Sequence, residues 1–72
     1  MRTRQAQLRQ LADDLDAQAS LVWALFDRLQ RHLPASDRRK HEVEACRDVV
    51  LDGLALARGV VERIEAEARP KR

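Results

Sequence analysis

Apolar residues recur at spacings of three, four and seven along two long stretches of this chain, separated only by the segment 33–36, Leu-Pro-Ala-Ser. Such spacing is typical of amphipathic α-helices. Pro34 lacks a backbone N–H and biases Leu33 away from helical geometry, so it ends the first helix. A connection this short makes two helices antiparallel neighbours. The sequence therefore predicts an all-α fold, an antiparallel two-helix hairpin.

The predicted hairpin is a single domain over residues 1–72, because the chain is too short for a second core. Its first helix covers about 3–33, with Thr3 as the N-terminal cap. The turn covers 34–36, with Ser36 as the cap of a second helix over about 37–68, and a frayed tail follows at 69–72.

The apolar surface of both helices is wider than one neighbouring helix can cover. The uninterrupted run 21–26, Leu-Val-Trp-Ala-Leu-Phe, covers most of the first helix, and Leu51 and Leu56 widen the stripe of the second. Cys46 is the only cysteine, so no intramolecular disulfide can stabilise the chain, and its unpaired thiol fits either a reducing compartment or the role of a small buried residue. We expect two hairpins to associate as a homodimeric four-helix bundle.

The excess of apolar surface also predicts binding to another protein. The candidate binding residues are Leu21, Trp23 and Leu25 of the first helix, with Leu51 and Leu56 of the second. Trp23 has two interpretations, a place in the dimer core or an anchor in a pocket of the partner, since tryptophan is enriched at binding hot spots. The function predicted is a non-enzymatic, cytoplasmic regulator of the adaptor, co-chaperone or anti-activator type, whose protein partner the sequence does not identify.

Nucleic-acid binding is the alternative. Its candidate residues lie around the turn and are Arg31, Arg38, Arg39 and Lys40. A second basic cluster lies near the chain ends, and the formal net charge is +2. The two clusters flank an acidic middle instead of forming a continuous track for phosphates, and this alternative predicts an affinity that falls steeply with salt.

Catalytic, cofactor and metal sites find no support in the sequence. The segment His41 to Cys46 resembles a zinc-binding HExxH pattern, but its candidate ligands are five residues apart and Ala45 stands at the position of the second histidine. The chain has no glycine-rich phosphate loop and no nucleophile placed beside a base. Its longest apolar run is six residues, so we expect no membrane span and no secretory leader.

Two further residues interrupt the apolar stripes. Gln18 occupies a seam position among leucines, where a polar residue usually fixes register or dimer geometry. Gly53 falls opposite Gln18 and Ala19 in the predicted register, and its small size leaves room for close approach. Charged residues at helical spacing, such as Asp27 with Arg31, are expected to be surface ion pairs.

Overall fold

The computed structural model describes residues 3–68 and confirms the antiparallel helical hairpin. Helix α1 is Arg4–Arg31, and helix α2 is Arg39–Ala68. The helices are shorter at the turn than predicted, because α1 ends at residue 31 instead of 33 and α2 begins at residue 39 instead of 37. The frayed tail predicted at 69–72 lies outside the described residues.

Thr3 caps α1 as predicted. Its hydroxyl oxygen accepts a hydrogen bond from the backbone N–H of Ala6 at 3.1 Å, which satisfies one of the amides left free at a helix start. The cap of α2 is Asp37, not Ser36. The amide of Asp37 donates to the carbonyl of Pro34 at 3.0 Å, so Ser36 lies inside that turn. The Asp37 carboxylate is then in position to accept from the backbone N–H of Arg39 at 2.9 Å.

The two helices pack through a seam of mainly small and branched apolar side chains. On α1 and the turn the seam includes Leu8, Ala12, Leu15, Ala19, Val22, Phe26 and Leu33, and on α2 it includes Val43, Leu54, Ala57, Val61 and Ile64. Ala12, at 6% exposure, is the only apolar residue of the described chain that is buried, and none of the large described side chains is fully enclosed. The seam therefore aligns the helices without forming a core.

The absence of a core follows from the dimensions of the hairpin, 59 × 20 × 10 Å. Two helices side by side form one layer, whereas stable domains bury their apolar faces between at least two layers. The chain has 6046 Å² of accessible surface. A compact protein of 8.3 kDa exposes about 4,600 Å², so the excess is roughly 1,400 Å².

Candidate interaction surface

A single layer has two broad faces, and in this hairpin they differ in chemistry. We call them the bridged face, where side chains of α1 and α2 contact each other across the seam, and the open face on the opposite side. The helical rotation of 100° per residue assigns each side chain to a face. The bridged face contains charged residues and Trp23, whereas the open face is mainly apolar.

On the bridged face, three α1 residues at seven-residue intervals each contact a residue of α2. The contacts are Arg9 with Glu65 at 3.3 Å, Asp16 with Arg58 at 2.8 Å, and the Trp23 ring with the Arg47 guanidinium 4.4 Å from its centre. Arg58 also pairs with Glu62 on its own helix. The hydrogen bond to Asp16 and the charges of Asp16 and Glu62 raise the pKa of Arg58 above its ordinary value. These contacts join the two helices on this face from the level of Arg9 to that of Trp23.

Trp23 lies at the edge of a recess on the bridged face. The recess has a volume of about 240 Å³ and is lined by Leu15, Asp16, Ala19, Trp23, Leu51, Leu54, Ala55 and Arg58. The structure therefore brings Trp23 and Leu51 together, as two of the five predicted binding residues. Trp23 remains 52% exposed, but one side of its indole ring is occupied by Arg47.

The open face has a regular central pattern on both helices. Leu11, Gln18 and Leu25 follow one another at seven-residue intervals on α1, and Cys46, Gly53 and Val60 do so on α2. All six are exposed, including Leu25 at 57%. Because Leu25 is two residues from Trp23, it points about 160° away from the indole around α1. A partner on the open face thus contacts Leu25 without reaching Trp23.

Apolar residues also surround this central pattern. Val49 and Leu56 are the most exposed large apolar side chains described, at 71% and 73%, and Leu21, Leu29 and Val50 are exposed as well. Ala45, Cys46, Val49 and Val50 form a shallow hollow without polar lining. A second hollow of about 340 Å³ lies toward the turn and is lined by Phe26, Leu29, Leu33, Arg39, Glu42, Val43 and Cys46.

Charged side chains are scarce on the open face. Every charged residue of α2 from Glu44 to Glu62 lies on the bridged or outer side of that helix, by the rotation of 100° per residue, whereas Arg39 and Glu42 line the hollow near the turn. On α1, Asp14 lies at the edge of the open face, where its carboxylate accepts a hydrogen bond from the Gln10 side chain at 2.9 Å. The open face therefore has the composition of an interface core, from which charges are depleted.

The five predicted binding residues thus fall on two surfaces. Leu21, Leu25 and Leu56 border the open face, and Trp23 and Leu51 belong to the bridged face. Leu11, Leu29, Val50 and Val60 are exposed as well, although their helical spacing predicts that they belong to the apolar stripes between the helices. Their spacing gave a usable signal, since Leu11 and Leu25 share a heptad position with the polar Gln18.

Cys46 corrects another expectation, because its thiol is exposed and not buried. The residue lies on the open side of α2, at the edge of both apolar hollows of that face. It is buried only if something covers the open face.

The basic residues of the nucleic-acid alternative are interleaved with carboxylates. Arg31 pairs with Asp27 at 2.6 Å, as predicted, and Arg39 pairs with Asp37 at 2.6 Å. Hydrogen bonds from Arg39, together with its charge, lower the pKa of Asp37 to about 2. Arg38 and Lys40 are adjacent to this pair, and most of the basic cluster near the chain ends lies outside the described residues.

The described residues contain no group of three or more side chains placed to hold a metal ion. Neither α1 nor the described α2 is long and apolar enough to cross a membrane.

No protein-family model matches this chain, and no curated protein or solved structure is significantly similar to it.

Proposed function

We propose that this chain is a small, non-enzymatic protein-interaction module that regulates another protein by docking its open face onto it. The observation that carries the proposal is the contrast between one buried apolar residue and nine large, exposed apolar side chains among the described residues, of which all but Trp23 lie on or beside the open face. Contiguous apolar surface of this extent marks an interaction site in a folded protein.

The proposal includes self-association into a homodimeric four-helix bundle. A second hairpin on the open face supplies the missing second layer, and bundles of two hairpins are a common solution for paired amphipathic helices. Homodimer interfaces of standard size bury about 800 Å² on each subunit, and obligate ones bury more. The excess surface of roughly 1,400 Å² falls in the range of an obligate dimer.

The target protein and the second copy use the same surface in this proposal. The target is expected to present an amphipathic helix, since a helix fits the shallow apolar groove between α1 and α2 and supplies anchors at helical spacing. Binding of the target and self-association therefore compete for Leu25 and its neighbours.

Affinity capture with a matched pair of variants tests the regulatory proposal. Leu25→Glu places a charge on the open face, whereas Ala24→Glu places the same charge one residue away, where the side chain points outward from both faces. We expect the tagged wild-type chain and Ala24→Glu to recover the same protein in stoichiometric amount from nuclease-treated host lysate, and Leu25→Glu to lose it. Equal recovery by both variants contradicts docking through the open face.

A further inference from the structure

We propose that the second copy covers the open face in an antiparallel orientation, with α1 on α1 and α2 on α2, across a two-fold axis that passes near Gln18 and Gly53. This inference rests on the self-association included in the proposed function. It adds the register, the orientation and the residues at the centre of the interface, none of which follows from the existence of a dimer.

Gln18 lies within three residues of the level of Gly53 in the hairpin. Arg58 is five residues after Gly53 and contacts Asp16, and Arg47 is six residues before Gly53 and contacts Trp23. In a pair of antiparallel helices, a step of one residue forward along one helix corresponds to a step of one residue backward along the other. The two contacts therefore place Gly53 between the levels of residues 17 and 21 of α1. One axis perpendicular to the helices can therefore pass close to both residues.

The central row of the open face is symmetric about this level on both helices. On α1, Leu11 and Leu25 are each seven residues from Gln18. On α2, Cys46 and Val60 are each seven residues from Gly53, while Val50 and Leu56 are three away and Val49 and Ala57 are four away. In an antiparallel pair related by a two-fold axis, a residue before the midpoint meets the residue equally far beyond it. Each apolar residue of this pattern thus meets another apolar residue.

The two midpoint residues suit positions on a two-fold axis. A glutamine amide both donates and accepts hydrogen bonds, so Gln18 can pair with Gln18 of the second copy. This pairing supplies the partner that a polar residue needs at an apolar interface. In the separate hairpin Gln18 is exposed and has no such requirement.

Gly53 is not required by the hairpin itself. A Cβ atom added there meets nothing within 4 Å, although glycine inside a helix costs about 1 kcal/mol relative to alanine. At the axis, Gly53 meets Gly53 of the second copy, and the lack of side chains lets the two α2 helices approach closely.

Charges at the ends of the α2 surface favour the antiparallel orientation. Pairing about Gly53 brings Arg39 to the level of Glu67 of the second copy and Glu42 to within one residue of the level of Arg63. The other two-fold arrangement of this face, with the axis parallel to the helices, places α2 on α1 of the second copy and does not bring these opposite charges together. Opposite charges at both ends of α2 therefore favour the orientation with α2 on α2.

Disulfide trapping tests this arrangement on the full chain. Cys46→Ser removes the native thiol, and Gly53→Cys or Gln18→Cys then introduces one at the proposed axis. Gly59→Cys is the matched control, because it replaces the other glycine of α2, where an added Cβ also meets nothing within 4 Å, on a different side of the helix. With diamide as the oxidant, two facing thiols each lose a proton and together transfer two electrons to the reagent as the S–S bond forms.

We expect the axis variants to form linked dimers at least tenfold faster than the Gly59→Cys variant. The wild-type chain is expected to stay unlinked, because the two Cys46 thiols are displaced by 14 residues, or roughly 21 Å along the helices. Circular dichroism and sedimentation first establish that each variant is a helical dimer. A dimer of either axis variant that does not link, or rapid linkage through Cys46 alone, overturns the proposed axis. A wild-type chain that sediments as a folded monomer instead overturns the self-association in the proposed function.

Discussion

The Arg47 guanidinium lies over the indole ring of Trp23, 4.4 Å from its centre, and joins α2 to α1 on the face opposite the proposed docking surface. This contact gives Trp23 a role within the hairpin. Leu25 belongs to the same uninterrupted apolar run in the sequence, but the helical rotation points it to the opposite face.

Trp23→Ala is therefore expected to weaken folding more than association. The variant loses the cation–π contact and the packing around Leu51, and the free energy of unfolding should fall by about 2 kcal/mol. Denaturant unfolding at a fixed protein concentration measures the loss, and Trp23→Phe, which keeps an aromatic ring below Arg47, should lose less. If Trp23→Ala dissociates the dimer while helicity and unfolding midpoint are retained, Trp23 is an interface anchor and the assignment to the bridged face is incorrect.

The turn provides a prediction about pH. The pKa of Asp37 is lowered to about 2 by Arg39, so the pair stabilises the folded chain at pH values above the ordinary aspartate pKa of 3.8, and this contribution is lost as the pH falls through about 2. We expect the carboxyl carbon of Asp37 to titrate near pH 2 in an NMR experiment.

Asp37→Asn removes the negative charge but keeps the helix cap, because an asparagine oxygen still accepts a hydrogen bond from the backbone amide of Arg39. The melting temperature of this variant should lie below that of the wild type at pH 6 and approach it below pH 2. A difference between the two chains that is the same at both pH values would assign the effect to capping alone.

The glycines of α2 give a matched test of the open face. Gly53→Glu and Gly59→Glu both replace a glycine with a better helix former at a site with free space. We expect Gly53→Glu to be monomeric, because two carboxylates meet at the centre of an apolar interface. Gly59→Glu should remain dimeric in size-exclusion chromatography with light scattering. If both variants are dimeric, position 53 does not lie in the interface.

Cys46 reports on the open face without any substitution. Its thiol is exposed in the single hairpin and is covered when a second copy occupies the open face. The rate of labelling by a thiol reagent should therefore fall as protein concentration rises into the range where dimers form, and it should be independent of concentration in the Gly53→Glu variant. A wild-type rate that does not change with concentration contradicts coverage of Cys46.

The sequence was sufficient to predict the hairpin, since the helical spacing of the leucines and the position of Pro34 are local signals. The Thr3 cap and the pairing of Asp27 with Arg31 were predictable for the same reason. The cap at Asp37 was not, because it depends on the turn that Pro34 closes.

The candidate surface was predicted only in part. Leu21, Leu25 and Leu56 were recognised as surface residues, but Trp23 and Leu51 were placed in the same group although they point to the other face. Which of these residues lie on the open face and which on the bridged face depends on how α1 and α2 are rotated relative to each other about the seam. Contacts between residues distant in sequence set that rotation, such as the contact of Asp16 with Arg58, and periodicity within one helix does not reveal them.

Sedimentation equilibrium of the full wild-type chain at micromolar concentration shows whether the open face must be covered. We expect a species of twice the chain mass of 8.3 kDa, which Leu25→Glu converts to the monomer and Ala24→Glu does not. A wild-type chain that sediments at 8.3 kDa, is fully helical and unfolds cooperatively would contradict it, since the single layer would then be stable with its apolar face exposed to water.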